Sequence, residues 1–337
     1  MTSDPPAFHP TAHNTRGGDP GSGRFHVSGI DALLLLMALI WGTNYSVIKT
    51  ALRQIDPQAF NAVRMVIAST VFLAILAGVR TRVKRNGVNL ESTSIFYTPA
   101  TMVRREWLGV VALGVIGHGV YQYCFIGGLA RTSVANSSLM LAVTPVLIAI
   151  SSAVLGHEPV SRWHWAGAAL SLAGIYLVVG QGFSTASHGI VGDLLMLVAV
   201  CCWAAYTIGS QQLMARHSPV AITGLSMSIG TLLYVPAVWP HVRAVSWTSL
   251  SPGAWASMGY SGLFALCVAY TIWYAAVRQI GSARTSVYSN VIPLVAMATA
   301  VIFVGEPLGL RKIIGAAAVL TGVALTRVME PSRLVAR

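Results

Sequence analysis

Charge is scarce in this chain. Asp, Glu, Lys and Arg make up 9% of its 337 residues, against about 25% in a typical soluble domain. Carboxylates are rarest: Asp4, Asp19, Asp31, Asp56, Glu91, Glu106, Glu158, Asp193, Glu306 and Glu330 are the full set. All lie in tails, loops or the ends of apolar segments, so a carboxylate proton relay through the centre of a bilayer has no obvious member. Cysteine is sparse too. Cys124, Cys201, Cys202 and Cys267 fall within apolar stretches and read as small buried hydrophobes rather than disulfide partners or metal ligands. No His-Glu-x-x-His, paired intramembrane Asp or Ser/His/Asp set occurs. A membrane-embedded enzyme would need such convergent groups, so no catalytic residue, metal or cofactor is expected.

What fills the chain instead is apolar. Hydrophobic residues account for 55% of it, and mean hydropathy is +0.66. A soluble fold could not hide that much apolar surface, so the bilayer must be the solvent. The net charge of +12 raises the question of nucleic acid. The positive residues sit in short loops and tails, however, and no basic stripe runs along a helix, so nucleic acid is not an expected partner. The first 28 residues are rich in Pro, Gly, His and Ser and lack the apolar stretch of a signal peptide. They are expected to be a disordered cytoplasmic tail, with 329–337 as a second tail.

Ten segments are long enough to cross about 30 Å of hydrocarbon. They lie near 31–50, 59–79, 107–129, 133–155, 163–182, 192–214, 220–239, 254–277, 285–304 and 311–328. Continuous apolarity excludes an alternating β-barrel. Positive residues orient the set. With the N-terminus in the cytoplasm, fifteen Lys and Arg fall on the inner side and six on the outer, with Arg64 left inside a span. Both termini are predicted to be cytoplasmic, in a multi-pass protein of the inner membrane.

The second half repeats the first. Asp31, Trp41, Pro57 and Met65 recur 162 positions later as Asp193, Trp203, Pro219 and Met227. Trp107, Gly114, Pro145, Glu158, Pro159, Gly167 and Gly174 recur 148 positions later as Trp255, Gly262, Pro293, Glu306, Pro307, Gly315 and Gly322. The offset changes once, across the longer basic loop 80–106. The units are 30–182 and 190–328. Five helices per unit is an odd number, so the second unit enters the membrane from the opposite face. The expected fold is an all-α integral membrane protein with ten transmembrane helices as two inverted five-helix repeats, a ground plan that permits alternating access.

Polar and aromatic residues recur on matched helical faces. Trp41, Asn44 and Tyr45 share one face, as do His118, Tyr121 and Gln122. Trp203 and Tyr206 form a third stripe, and Tyr270, Trp273 and Tyr274 lie at the matching depth of the eighth segment. Polar groups at mid-span are costly facing lipid. Each stripe alone reads as packing; four at equivalent positions read as a shared cavity. Trp163, Trp165 and Trp239 at span ends read as interface anchors. Pro145 and Pro293 lie mid-span and should free carbonyls beside Asn136 and Asn290, either lining the cavity or as structural kinks. Arg64, whose counterpart is Ser226, is either a functional candidate as an intramembrane charge or a structural residue, tied to helix carbonyls or snorkelling to the interface. His118 is either a titrating group or a hydrogen-bonded core residue. Glu158 and Glu306 are expected to cap the helix that follows each of them, with gating as the sharper alternative. The paired glycines 167/174 and 315/322 suit close helix packing.

Together these residues resemble the drug/metabolite transporter superfamily, in its EamA-type branch of ten-helix permeases. The likeness rests on Trp41-Gly42-Thr43-Asn44, Arg64, Pro145 and Glu158-Pro159 followed by Gly167 and Gly174, with the second-half copies, and covers nearly all of 30–328. It implies a central cavity and movement of small metabolites, most commonly amino acids, often outward. The small multidrug-resistance relatives place a Glu in the first helix, and here no carboxylate stands between Asp31 and Asp56. The expected function is a permease or exporter of small, amino-acid-like metabolites; a drug or toxic-cation efflux transporter is the alternative. The expected partners are a small-molecule substrate and membrane lipid, with the protein a monomer or homodimer.

Overall fold

The structure is a computed structural model that describes residues 29–86, 95–144, 146–147, 162–179 and 187–328. The expected tails 1–28 and 329–337, together with Pro145, Glu158 and Pro159, lie outside the described residues. Every regular element among the described residues is helical. In chain order the main ones are α1 (Gly29–Ala51), α2 (Pro57–Asn86), α3 (Arg104–Arg131), α4 (Val134–Leu141), α5 (Arg162–Val179), α6 (Ser187–Met214), α7 (Pro219–Ala237), α8 (252–287), α9 (Tyr288–Val304) and α10 (Leu310–Val328), with a short helix Trp239–Arg243 and a 3-10 turn Trp247–Ser249 between α7 and α8. Six of these are long and apolar enough to cross a membrane: α1, α2, α3, α6, α7 and α8. Their outward faces expose large apolar side chains such as Leu36, Leu39, Leu194, Leu197 and Leu232, a surface that suits lipid rather than water.

Helix starts follow from proline and a preceding cap. Asp56 Oδ1 accepts from the backbone N–H groups of Gln58 and Ala59 at 2.8 and 3.1 Å, with Pro57 opening α2. Ser218 and Ser251 do the same before Pro219 and Pro252, each accepting from the N–H three residues on. The missing proline N–H is one the first turn could not use anyway.

Two helices are interrupted at matched places. α3 changes from α to π geometry over Gly114–Val120, and α8 does so over Ser261–Val268. The glycines that open these segments mark close crossings. A Cβ on Gly114 would fall 2.9 Å from Ser226 O, and one on Gly262 would fall 3.0 Å from Arg64 O. Likewise, α5 and α10 meet where a Cβ on Gly174 would lie 2.7 Å from Gly315 O and one on Gly322 would lie 2.5 Å from Gly167 O. Some residues touch their own counterparts: Trp41 and Trp203 have ring centroids 5.9 Å apart, and the Ser69 and Thr231 hydroxyls are 2.8 Å apart.

Two expectations about the second half need correction. The stretch between the eighth and ninth predicted segments is helix, since α8 continues to Val287; the residues there, Arg278 to Val287, hold no proline and one glycine. Pro293 is also not in mid-helix. It is the third residue of the α-helical stretch Val291–Thr299, behind a 3-10 turn at Tyr288–Asn290. Proline cannot donate to the carbonyl four residues back, so the chain tightens to 3-10 ahead of it and starts the α-helix afresh.

Candidate functional site

A cavity of about 80 Å³ lies where α1, α2, α3, α4, α6, α8 and α9 meet. About 10–15 Å³ accommodates one water, so it has room for a small solute. Its walls include Trp41, Asn44, Tyr45, Arg64, Tyr121, Gln122, Phe125, Ser138, Thr144, Trp203, Tyr270, Trp273, Ser289 and Pro293. Trp41 is the hub of the aromatic wall. Its ring lies 5.9 Å from Trp203, 5.7 Å from Tyr270 and 5.6 Å from Trp273. Tyr121 adds a ring 5.4 Å from Trp203.

Each residue of the Trp41-Gly42-Thr43-Asn44 run has a distinct task. Trp41 Nε1 donates to Ala265 O at 2.9 Å; Ala265 sits in the π segment of α8, where the i→i−4 ladder is broken and a carbonyl can turn aside. Gly42 admits α9, since a Cβ there would be 2.5 Å from Val295 Cβ. The Thr43 hydroxyl pairs with the Tyr260 hydroxyl at 2.7 Å. Asn44 reaches the cavity, where its Oδ1 has no partner among the described residues. The Tyr45 hydroxyl and Trp273 Nε1, also on the wall, are buried and unpartnered as well.

Arg64 is 1% exposed and stands on the cavity wall. Its Nε donates to Asn61 Oδ1 at 2.6 Å, Nη1 to Ser261 Oγ at 2.9 Å and Nη2 to Gln122 Oε1 at 2.5 Å. The guanidinium also lies 5.7 Å from the Phe125 ring centre. All three acceptors are neutral side chains, so the expected tie to helix carbonyls is corrected: short polar side chains from α2, α3 and α8 hold the group. Asn61 and Ser261 escaped the sequence reading. Asn61 is one turn from Arg64 on the same face, and Ser261 adjoins the repeat-marked Gly262; both signals are legible only once Arg64 is taken as a centre.

Four expected cavity residues stand away from it. His118 and Tyr206 lie one turn beyond Gln122 and Trp203, where their rings pack 4.9 Å apart and fill the space. The Tyr206 hydroxyl bonds the Ser226 hydroxyl at 3.2 Å; neither His118 ring nitrogen has a partner among the described residues. Asn136 is two residues from Ser138 and therefore on another face of α4. Asn290 stands outside the wall although Ser289, Ile292 and Pro293 line it.

Glu306 also differs from its expected role. Its carboxylate does not cap the helix that follows it. It crosses to α4, accepting from Val134 N–H at 2.8 Å and from Ala135 N–H at 3.4 Å. Gly305, with φ of +74°, ends α9 in the left-handed region, and this reversal turns Glu306 back toward α4. Beside it Lys49 Nζ donates to the carbonyls of Leu129, Ala130 and Thr132 at 2.8, 3.2 and 2.7 Å. Together these contacts bind α1, α3, α4 and α9 at one end of the cavity.

The EamA-like transporter family profile matches residues 29–180 and again 190–328. The chain belongs to the EamA-like transporter family. It is therefore a membrane transporter and not an enzyme. Its relatives include the uncharacterized transporter YyaM of Bacillus subtilis (strain 168), 24% identical over 86% of this chain and 91% of that protein. An uncharacterized transporter of Archaeoglobus fulgidus is 27% identical over 87% of this chain and 96% of its own length. A protein of Streptantibioticus cattleyicolor, described as a probable terminal-alkyne amino-acid exporter, is 25% identical over 87% of this chain and 91% of its own. A solved crystal structure superposes with a TM-score of 0.63, covering 90% of this chain and 99% of the other at 18% identity, a likeness of fold alone.

Proposed function

We propose that this transporter moves small, amino-acid-like metabolites across the cytoplasmic membrane by alternating access, through the cavity between its two halves. The observation that carries the reading is the cavity itself: aromatic walls, a buried Arg64, and unpartnered polar atoms on Asn44, Tyr45 and Trp273. Buried polar atoms without partners are costly, and a solute with polar groups would supply the partners. The amino-acid exporter among the relatives supports that substrate class.

The finer architecture we infer is ten membrane-crossing helices as an inverted pair of units, 30–182 and 190–328. Two kinds of contact support it. Gly114 meets Ser226 as Gly262 meets Arg64, which is one crossing made twice with the halves exchanged. Trp41 meets Trp203 and Ser69 meets Thr231, as residues on a pseudo-two-fold axis must. With both termini cytoplasmic, the Lys49 and Glu306 contacts fall on the outer side and hold that end closed. Exchange of conformation between the units would open it.

The aromatic box would also attract an organic cation, which keeps cation efflux as a second reading; Arg64 in the wall opposes it. Purified protein in proteoliposomes should catalyse counterflow of labelled amino acids and not of cationic dyes. Dye flux without amino-acid flux would select the second reading. No flux above protein-free vesicles across amino acids, sugars and cations, with the protein folded, would overturn both.

A further inference from the structure

We propose that Arg64 is the anchor for a carboxylate on the transported solute, so that the cavity selects small apolar or aromatic monocarboxylates for which an amino group is dispensable. This rests on the transport reading and narrows its substrate class.

Arg64 carries a charge with no carboxylate partner among the described residues. An arginine stays protonated in proteins, and Arg64 is buried with neutral partners only. The ion pairs of Glu106 and Asp56 are made with Arg216, His217 and His241, not with Arg64. Its three hydrogen bonds use three of the five guanidinium N–H groups, so two donors remain for a ligand at the wall. A buried charge without an opposite partner is among the costliest features a protein can carry. A planar, bidentate carboxylate is the ligand that best satisfies a guanidinium.

The rest of the wall sets the charge of the solute. Among the described residues no Asp or Glu lines the cavity, so an ammonium group finds no ion pair with them. A monocarboxylate leaves the loaded cavity electrically neutral. A zwitterion leaves the loaded cavity with one net positive charge, its amino group meeting only neutral acceptors, such as Asn44 Oδ1 and the Tyr45 hydroxyl, and aromatic faces. A phosphate monoester, near two negative charges at neutral pH, overcompensates a single arginine. Aromatic walls exclude water and strengthen the Arg64 attraction. The expected order is carboxylate at or above amino acid, and both well above the uncharged or cationic analogue.

Binding to the purified full-length protein in detergent tests this with matched probes: 3-phenylpropanoate, L-phenylalanine, L-phenylalaninamide and phenyl phosphate, with the corresponding leucine series. We expect the carboxylate to bind about ten- to a hundredfold tighter than the amide. Arg64→Gln should erase that ratio by weakening the carboxylate without weakening the cationic amide, a change of preference that a merely structural role would not produce. Arg64→Lys, which keeps the charge, should retain part of the ratio and stands in if the glutamine variant does not fold. An amide or phosphate that binds as tightly as the carboxylate, or an Arg64→Gln protein with unaltered preference, would overturn the proposal while leaving transport intact. Absence of binding by every probe, with no counterflow from the same folded preparation, would overturn this assignment together with the transport reading.

Discussion

Glu306→Gln is the sharpest perturbation of the closed end. The glutamate carboxylate accepts two N–H bonds, at 2.8 and 3.4 Å, from the first turn of α4. Gln keeps one acceptor oxygen and the side-chain length but removes the charge. A carboxylate at a helix N-terminus contributes about 0.3–1 kcal/mol at exposed sites and up to ~2 where partly buried, and Glu306 is partly buried. Replacing a charge-assisted acceptor by a neutral one costs about a further 0.5–1.5 kcal/mol. These overlap, so the closed end should weaken by about 1–2 kcal/mol, a factor of roughly 5–30 in its population. Spin labels at Arg131 and Gly309, exposed positions flanking the contact, would report it by electron–electron resonance distances. The variant should populate a longer distance that the parent protein does not, and Glu306→Ala should populate it further. If both variants keep the parent's distance distribution, the Glu306 contact does not hold this end shut.

Other perturbations test the cavity's frame. Gly42→Ala would place a Cβ 2.5 Å from Val295 Cβ and 3.0 Å from Ile292 O, atoms that cannot swing aside, so about 1–3 kcal/mol of destabilisation is expected. Gly78→Ala, with nothing within 4 Å, is the control for the same thermal-unfolding measurement. Trp41→Phe removes the donor to Ala265 O and should cost about 1 kcal/mol of stability, while lowering solute affinity more strongly because the ring also shapes the wall; equal affinity in the variant would place the solute elsewhere. His118→Phe removes two ring nitrogens without partners among the described residues. It should be neutral or slightly stabilising with flux retained, and a loss of flux at unchanged stability would show that His118 handles protons or solute.

Some of this was legible in the sequence because the relevant physics is periodic. Trp41, Asn44 and Tyr45, or His118, Tyr121 and Gln122, lie at helical spacing, and an apolar solvent forces such polar faces inward wherever they occur. Depth along the helix is not periodic, and there the reading failed. His118 shares the face of Gln122, yet its neighbourhood is filled by Tyr206, a fact of packing between helices. The π segments at Gly114–Val120 and Ser261–Val268 have no periodic signature in the sequence; each holds a glycine at a close helix crossing. Glu306 was legible as a helix cap because a carboxylate near a helix start is favoured. Which helix it serves depends on the reversal at Gly305, and that direction is a tertiary property.

The repeat is most informative where it fails. Arg64, Gln122 and Asn44 have Ser226, Tyr270 and Tyr206 as counterparts. In the first half, Arg64 and Gln122 are hydrogen-bonded to each other, and both reach the cavity along with Asn44. In the second half, Ser226 and Tyr206 are also paired, but with each other and behind the wall, while Tyr270 offers the cavity an aromatic ring. The symmetric scaffold thus carries an asymmetric lining, charged and amide-bearing on one side and aromatic on the other. Packing alone gives no reason for this division, since Ser226 holds the place of Arg64 in the second half without burying a charge. A solute with one anionic end and one apolar end does give a reason.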